Sequence, residues 1–438
     1  KCVDIPREFL EKHKKLIAVF ANLIDDKGRK AINIALPKQR QEIQRFLYIC
    51  GRYRLDPRYL VHRSKTCEVL FAVDVESKTP AYPDGRPVAL KMMKHRSQWE
   101  SEIRARQNHE LPSSSVVDLL AWHVATGETT IPDECKAREE HIPEDVQFKY
   151  ALVMERGDSS VFQAMLTQRF AGHSESVVAH ISREVARSVS KMHEANLVHS
   201  DLKLRNVLVS TEGGCEVSED STVILCDLDA SGTIGSRRSI EAKAGSSGYY
   251  APEVARWLVS QKQEKKIELS YETSQDVWSF GSILFELCTG RNLFPLDLND
   301  DSMVDEKDLT CLCSWSCLDD AALSAVFKNC ETCDEETRAQ ARHLIRWCLQ
   351  GDPSNRPSFE EILKHPFVQI LDNISEDDMT QDVYLCGEEM LENNDRVRET
   401  RTSRKSRPTV TWEFPSLKSV EPQNMRYHFF ITHMQAEA

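Results

Sequence analysis

Residues 199–206 read His199-Ser200-Asp201-Leu202-Lys203-Leu204-Arg205-Asn206, and this stretch is the most informative part of the 438-residue chain. A run with helical apolar spacing, Val177 to Glu194, precedes it, and the apolar run Val207-Leu208-Val209 follows it. The pattern predicts a polar loop between a helix and a β-strand. Taken alone, an aspartate and an asparagine five residues apart more often cap a loop than take part in catalysis.

The stretch strongly resembles the catalytic loop of protein kinases, whose pattern is H-R-D-L-x-x-x-x-N. Further motifs of that family occur in the family's order: Val88-Ala89-Leu90-Lys91 for V-A-I-K, Cys226-Asp227-Leu228-Asp229 for D-F-G, and Ala251-Pro252-Glu253 for A-P-E. An ordered set of this kind argues against a chance match. The resemblance covers about residues 56–370 and implies an α+β, two-lobed kinase fold, with a small β-rich N-lobe and a large helical C-lobe.

The resemblance implies that Lys91 binds the α- and β-phosphates of ATP, because phosphoryl transfer requires positioning and neutralisation of polyphosphate charge. A lysine on a strand is otherwise often solvated. The stretch Trp99-Glu100-Ser101-Glu102-Ile103 resembles the helix whose glutamate pairs with this lysine. This points to Glu102, with Glu100 as the competing acid and an exposed helix face as the alternative for both.

The same resemblance implies the roles around the transferred phosphoryl group. Asp201 accepts or aligns the proton of the substrate hydroxyl, and Lys203 lies near the phosphoryl group. Asn206 and Asp227 are the predicted ligands of Mg²⁺, although an aspartate after a strand can also belong to a simple turn. Tyr150 to Glu155 resembles the strand that enters the adenine-binding hinge. ATP and Mg²⁺ are therefore the expected cofactors, and the nucleotide is expected to contact Val69, Met154 and Glu155.

The loop that covers the phosphates departs from the family pattern G-x-G-x-x-G-x-V-x-x-A. When Val69 and Ala72 are aligned with the V and the A, three other residues take the glycine positions: His62, Ser64 and Cys67. Glycine there allows backbone N–H groups to approach phosphate closely. We therefore expect these residues to contact ATP through a reshaped loop. Each backbone hydrogen bond that is lost is expected to lower the affinity for ATP by about ten- to several-hundredfold.

Two further departures concern charge and backbone geometry. Asp229 replaces the glycine of D-F-G and is expected to tolerate a left-handed backbone or to add a carboxylate beside the metal. Ser200 replaces the arginine of H-R-D. A phosphate on the activation segment, which runs from Asp227 to Glu253, therefore loses its usual central partner. Arg237 and Arg238 are predicted to form a solvated basic turn, with another anion as the alternative.

Some family positions imply structural roles in the large lobe. Glu253 is expected to form a buried ion pair with Arg356, which lies in Asp352-Pro353-Ser354-Asn355-Arg356-Pro357. Asp276, in Asp276-Val277-Trp278-Ser279-Phe280-Gly281, resembles the residue that tethers the catalytic loop. Ser246 stands at the usual threonine of the substrate-side loop.

The domain organisation follows from shifts in pattern along the chain. Residues 1–50 are predicted to be helical, and the segment 1–53 is expected to be the end of an ankyrin-like repeat array, because Gly28, Ala31, Ile32 and Ala35 meet the ankyrin-repeat pattern; an unrelated helical hairpin is the alternative. Residues 54–154 are the predicted N-lobe and residues 155–370 the C-lobe. The polar residues 371–425 predict a disordered linker, and residues 426–438 begin a strand that faintly resembles the start of a TIR domain.

Composition restricts the partners and the compartment. The net charge of −13 disfavours nucleic acid, and no apolar run approaches the roughly 18 residues of a membrane helix. The 14 cysteines are mostly dispersed, which favours free thiols in a reducing compartment and a cytoplasmic location. One cluster, Cys311 to Cys333, leaves a metal site as a minor alternative.

The expected function is a protein serine/threonine kinase in intracellular signalling, since Lys203 after Asp201-Leu202 favours this specificity within the family. The expected partners are a protein substrate and a protein bound by the ankyrin-like residues. The alternative is a pseudokinase, an interaction module with weak or no catalysis, which the missing glycines favour and the retained Lys91, Asp201, Asn206 and Asp227 oppose. A small-molecule kinase is disfavoured by the A-P-E motif.

Overall fold

The computed structural model describes residues 48–63, 66–124, 148–211, 216–239, 245–262, 267–297 and 301–373. The predicted ankyrin-like residues 1–47 and the predicted linker and TIR-like strand within 374–438 lie outside these ranges, so they stay predictions. Within the described ranges, no helix combines the length and the apolarity that crossing a membrane requires.

The small lobe is an antiparallel five-stranded sheet in the order β1-β2-β3-β5-β4. Its strands are β1 Tyr53–Arg63, β2 Cys67–Asp74, β3 Arg86–Met93, β4 Leu119–Val124 and β5 Tyr150–Glu155. The central strand β3 is buried at every position from Val88 to Met93, because both of its faces are covered.

One helix, α1 Arg96–Gln107, packs against this sheet. Trp99 and Ile103 lie four residues apart on one face of the helix and are fully buried against Met93 and Leu152. The opposite face of the sheet is covered from upstream, where Cys50 packs against the same core as β3. The described part of the small lobe therefore begins a few residues before residue 54.

The large lobe is helical. Its helices are α2 Val161–Gln168, α3 Glu175–Glu194, α4 Pro252–Lys262, α5 Thr273–Thr289, α6 Glu306–Cys313, α7 Asp320–Leu323, α8 Glu335–Cys348 and α9 Phe359–Leu363. Helix α5 is buried on all sides from Gln275 to Cys288, with apolar residues on every side of the helix, and Gly290 with φ 68° caps its C-terminus. A 3₁₀ helix, Pro366–Asn373, continues the lobe past residue 370.

Short strands in the large lobe position its loops. Strands β8 Val207–Ser210 and β9 Thr222–Leu225 pair with each other, and β6 Ser159–Ser160 pairs with β8. Strands β7 Leu197–Val198 and β10 Gly232–Thr233 form a second pair, and β11 Leu296–Asp297 and β12 Ser302–Met303 form a third. Residues 199–206 lie between β7 and β8, as the sequence predicts for the polar loop.

The predicted ion pair between Glu253 and Arg356 is confirmed. Both terminal nitrogens of Arg356 donate to the carboxylate of Glu253 at 2.8 Å. The Arg356 side chain is fully buried, and it also donates to the carbonyl oxygens of Gln350 and Ser274. The pair therefore joins the start of α4 to the segment after α8.

Candidate active site

A buried lysine connects the two lobes. Strand β3 places Lys91 opposite Val69 of β2 and Leu152 of β5, and its side chain is 3% exposed. Its Nζ lies 3.3 Å from Oε2 of Glu102 and 2.5 Å from Oδ1 of Asp227. Because Glu102 belongs to α1 and Asp227 follows β9, this ammonium group neutralises carboxylates from both lobes.

The geometry selects Glu102 over Glu100 as the partner of Lys91. Burial raises the pKa of the Glu102 carboxyl, but the charges of Lys91 and Arg106 outweigh it and hold the pKa below its usual value. Glu100 instead pairs with Arg96 and with Arg104 along the helix surface. Arg106, one turn after Glu102, was missed by the motif analysis, although its i,i+4 spacing is a signal for it.

The donor set beside Lys91 suits a hard cation. Oxygen atoms of Glu102, Asp227 and Asp229 all lie within 4.8 Å of one another, and carboxylate oxygens are the ligands that Mg²⁺ prefers. The tolerance of aspartate for a left-handed backbone is used at Asp227, which has φ 67°, and not at Asp229, which is not among the described residues with positive φ. The second expectation for Asp229 fits the geometry, since its carboxylate is 3.3 Å from Lys91 Nζ.

No cysteine contributes to such a donor set among the described residues, in which these three carboxylates form the one group able to hold a metal ion. Cys311 and Cys317 are exposed, whereas Cys330 and Cys333 are buried in the large lobe. The cysteine cluster thus gives no support to the alternative of a metal site.

The catalytic-loop motif is held by Asp276 of α5. The backbone N–H groups of His199 and Ser200 donate to its carboxylate at 2.8 and 2.9 Å, and His193 Nε2 lies at 2.9 Å. Burial raises the pKa of Asp276, but its hydrogen bond with His193 and the neighbouring histidine charges lower it below the usual value. These bonds support the predicted tether and accompany a left-handed Ser200 at φ 65°.

Asp201, Lys203 and Asn206 lie together at the end of this loop. Asn206 Nδ2 donates to the backbone carbonyl of Asp201 at 2.8 Å, which leaves its amide oxygen as the atom able to bind a cation. Lys203 Nζ lies 3.9 Å from Asp201 Oδ2 and donates to Ser246 Oγ at 2.7 Å. The loop therefore places an acid, a cation and an amide beside the substrate-side residues.

The substrate-side loop, residues 245–250, is anchored to α5. The Tyr249 hydroxyl donates to Oε2 of Glu286 at 2.7 Å. Burial raises the pKa of Glu286 to about 7, against the opposing effect of this hydrogen bond. The Tyr250 hydroxyl donates to the carbonyl oxygen of Gly245.

The predicted nucleotide contacts lie on the sheet. His62 pairs with Val69 across β1 and β2, and Cys67 is the first residue of β2. Ser64 lies outside the described residues, and so do the side chains around it. The β1–β2 turn is thus where the alignment expects the phosphate-covering loop, and nucleotide contact by these residues stays a prediction.

The predicted hinge lies at the end of β5. Met154 is buried, whereas Glu155 is half-exposed and pairs with Arg86 at 2.8 Å. The Glu155 N–H donates to the carbonyl oxygen of Asp118, so this backbone donor is already used. Arg156, the next residue, stacks its guanidinium over a β2 aromatic ring, 4.0 Å from the centroid of Phe71.

The predicted solvated turn at Arg237 and Arg238 is wrong for Arg238. Arg237 is 71% exposed and pairs with Glu268, but Arg238 is 4% exposed. The Arg238 guanidinium faces Tyr271 at 5.2 Å and lines a cavity of about 10 Å³ together with Ser200, the residue that replaces the motif arginine. A basic residue of the activation segment thus lies where the catalytic loop lacks one.

A sequence model described as the protein kinase domain matches residues 79–368, more than half of the chain. This match begins after strands β1 and β2. The chain is similar to the probable serine/threonine-protein kinase mkcC of Dictyostelium discoideum, with 26% identity over 212 residues that cover 48% of this chain and 19% of that protein. It is also similar to the SNF-related serine/threonine-protein kinase of Rattus norvegicus, with 28% identity over 229 residues that cover 52% of this chain and 26% of that protein. A third relative is the mitogen-activated protein kinase kinase kinase nsy-1 of Caenorhabditis elegans, with 24% identity over 220 residues that cover 50% of this chain and 12% of that protein. The chain spans about a quarter or less of the length of these relatives.

Proposed function

Because the chain belongs to the protein kinase domain family, we propose that it is a serine/threonine kinase that transfers the γ-phosphoryl group of ATP to protein hydroxyl groups. The names of the relatives support this substrate class, and so does Lys203 after Asp201-Leu202. The position of Lys91 carries the proposal. This buried ammonium joins Glu102 of the small lobe to Asp227 of the large lobe, at the junction where a polyphosphate requires positive charge.

Each residue of the site has a task in this reaction. Glu102 holds Lys91 in the sheet, and Lys91 binds the α- and β-phosphates. Asp201 aligns the substrate hydroxyl and takes up its proton, while Lys203 offsets the charge that develops on the phosphoryl oxygens. Both groups are held by the short loop that Asp276 tethers, so little reorganisation is needed during transfer.

Asp227 and Asn206 would hold Mg²⁺, and Asp229 adds a third carboxylate to this side of the site. When bound, Mg²⁺ neutralises phosphate charge and orients the γ-phosphoryl group. Because Glu102, Asp227 and Asp229 all contact Lys91, a cation held here would share these carboxylates with the ammonium group. Nucleotide affinity is therefore expected to require Mg²⁺ and to be lowered by the side chains at His62, Ser64 and Cys67.

The test is transfer of labelled γ-phosphate from Mg·ATP to a generic protein substrate by the parent chain and by Asp201→Asn. Loss of a positioned acid–base group is expected to lower kcat by about a hundredfold to ten-thousandfold, with little change in the KM for ATP. Asp220→Asn, an exposed aspartate in the turn before β9, is the matched control. If the parent transfers no more phosphate than Asp201→Asn does, the chain is the non-catalytic interaction module and the proposed activity is wrong.

The proposal includes the cytoplasm as the location and a protein partner for the ankyrin-like residues. The buried thiols of Cys288 and Cys348, which form no disulfide, support a reducing compartment. The pattern of Gly28, Ala31, Ile32 and Ala35 supports a repeat that uses its surface for protein binding. Expression of the chain fused to a fluorescent protein tests the location, and retention in an organelle or at a membrane would contradict it.

A further inference from the structure

A short hairpin in the large lobe carries a residue to which the sequence motifs assign no role. Strands β11 and β12 lie between α5 and α6, and Asp301 immediately precedes β12. Its N–H donates to the carbonyl oxygen of Asp297 at 2.9 Å, and its backbone has φ 57°. Aspartate is one of the few residues that tolerate this left-handed conformation, so the hairpin holds Asp301 in a restricted orientation.

The carboxylate of Asp301 reaches the catalytic loop. Oδ1 lies 2.9 Å from Nε of Arg205, and Oδ2 lies 3.1 Å from Nζ of Lys203. The Asp301 side chain is 6% exposed, so both contacts are formed where water screens charge weakly. One buried carboxylate thus neutralises two cations that are two residues apart on the loop.

The backbone around Asp301 reaches the substrate-side loop. Its carbonyl oxygen accepts the N–H of Gly248 at 3.1 Å, and the N–H of Met303 donates to Ser247 Oγ at 2.7 Å. Leu296 of β11 packs so closely that a Cβ atom added to Gly248 would lie 2.4 Å from its side chain. The hairpin therefore holds the loop of residues 245–250 with its backbone and the catalytic loop with its carboxylate.

We propose that Asp301 is a positioning residue for phosphoryl transfer, which holds Lys203 and Arg205 while its hairpin holds the substrate-side loop. This inference rests on the proposed kinase function. Oxygen atoms of Asp301, Ser246 and Asp201 lie 3.1, 2.7 and 3.9 Å from Lys203 Nζ. Without the charge of Asp301, this ammonium keeps the carboxylate of Asp201 among its neighbours and is attracted toward it. The lysine then moves toward the group that aligns the substrate hydroxyl, and both leave their productive positions.

The first test is Asp301→Asn, which keeps the size of the side chain and the tolerance for left-handed backbone but removes the charge. We expect kcat for a protein substrate to fall about ten- to a hundredfold, the scale of a small misplacement of reacting groups, with the KM for ATP changed less than about twofold. Glu306→Gln, an exposed carboxylate in the first turn of α6, is the control and keeps the parent kcat. A kcat for Asp301→Asn equal to that of the control overturns the proposal.

A double-mutant cycle separates positioning from a general loss of structure. If Asp301 acts through Lys203, then Asp301→Asn adds little to the loss of kcat already caused by Lys203→Met. If the two losses multiply, Asp301 acts independently of Lys203 and the proposal is wrong. Should Asp301→Asn fail to fold, Asp301→Gly replaces it, because glycine adopts φ 57° without strain and still removes the carboxylate.

Hydrogen exchange keeps this inference separate from the proposed function. If the parent chain transfers no phosphate, the kinase proposal fails, whereas exchange at residues 199–206 still reports whether Asp301 holds the loop. We expect faster exchange there in Asp301→Asn and unchanged exchange in α3, which supplies none of the described hydrogen-bond or ion-pair partners of Asp301. Exchange at residues 199–206 equal to that of the parent would overturn the inference whatever the activity is.

Discussion

Replacing Arg356 with alanine is expected to destabilise the large lobe without touching the phosphoryl-transfer site. The guanidinium is fully buried and forms two hydrogen bonds at 2.8 Å with the Glu253 carboxylate. It also donates to the carbonyl oxygens of Gln350 and Ser274, which belong to different elements. The substitution therefore leaves a carboxylate and two carbonyl oxygens without their donor.

The magnitude follows from these contacts. Removing one partner of a buried ion pair typically costs about 3 to 5 kcal/mol, because the remaining charge stays buried. Glu253 is 16% exposed, so water can reach it in part and lowers the cost, whereas losing the hydrogen bonds to the carbonyl oxygens of Gln350 and Ser274 raises the cost. We expect a loss of about 3 to 4 kcal/mol in the free energy of unfolding, which corresponds to a fall in Tm of about 6 to 15 °C for a lobe of this size.

Urea titration and thermal unfolding of Arg356→Ala measure this loss directly. Arg237→Ala is the control, since its guanidinium is 71% exposed and surface pairs contribute about 0 to 1 kcal/mol. Adding Glu253→Gln to Arg356→Ala removes the orphaned charge and should recover part of the loss. If Arg356→Ala unfolds within about 0.5 kcal/mol of the control, the pair does not stabilise the lobe and the reasoning is refuted.

Three further predictions concern the site and its support. Asp227→Asn should abolish the Mg²⁺-dependent part of the thermal shift caused by ATP, because it removes a metal ligand; an unchanged shift with Mg²⁺ would contradict its role. Lys91→Met should lower Tm as well as activity, because Lys91 is 3% exposed among three carboxylates that would lose their buried cation, and a parent-like Tm would contradict this. The Glu286 carboxyl has its pKa raised by burial from 4.5 to about 7, so its contribution to stability is complete below about pH 4.5 and is lost as pH rises through 7. Glu286→Gln cannot ionise and should therefore gain about 2 to 3 kcal/mol relative to the parent between pH 5 and pH 8 in urea titrations; a difference independent of pH would refute this.

Strand β3, helix α5 and the catalytic loop could be predicted from local sequence, because each depends on residues that are close together in the chain. Strand β3 is recognisable because Val88 to Met92 is continuously apolar except for Lys91, and α5 because its apolar residues cover every side. The spacing of Asp201 and Asn206 is short enough that the loop alone brings them within hydrogen-bond distance. The family pattern added the distant pair of Glu253 and Arg356, which local spacing could not have indicated.

The family resemblance pointed to Glu102, but local spacing alone did not separate it from Glu100, and the tertiary structure decided between them. The two residues lie about 200° apart around α1, so they point to nearly opposite sides of the helix. Either side could have faced Lys91, since both carry an acid. Packing of Trp99 and Ile103 against the sheet sets the rotation of the helix and thereby buries Glu102.

The positions of Arg238 and Asp301 were likewise decided only by the fold. A basic pair after a turn and an aspartate in a polar loop both resemble solvated surface in sequence. Arg238 is buried because backbone hydrogen bonds from residues 235–238 to residues 269–271 draw it beneath the catalytic loop. Asp301 is buried because its hairpin closes over the cations of a loop almost a hundred residues upstream. Contacts between residues that are far apart in sequence depend on how helices and strands pack, and this packing cannot be read from the residues adjacent to each side chain in sequence.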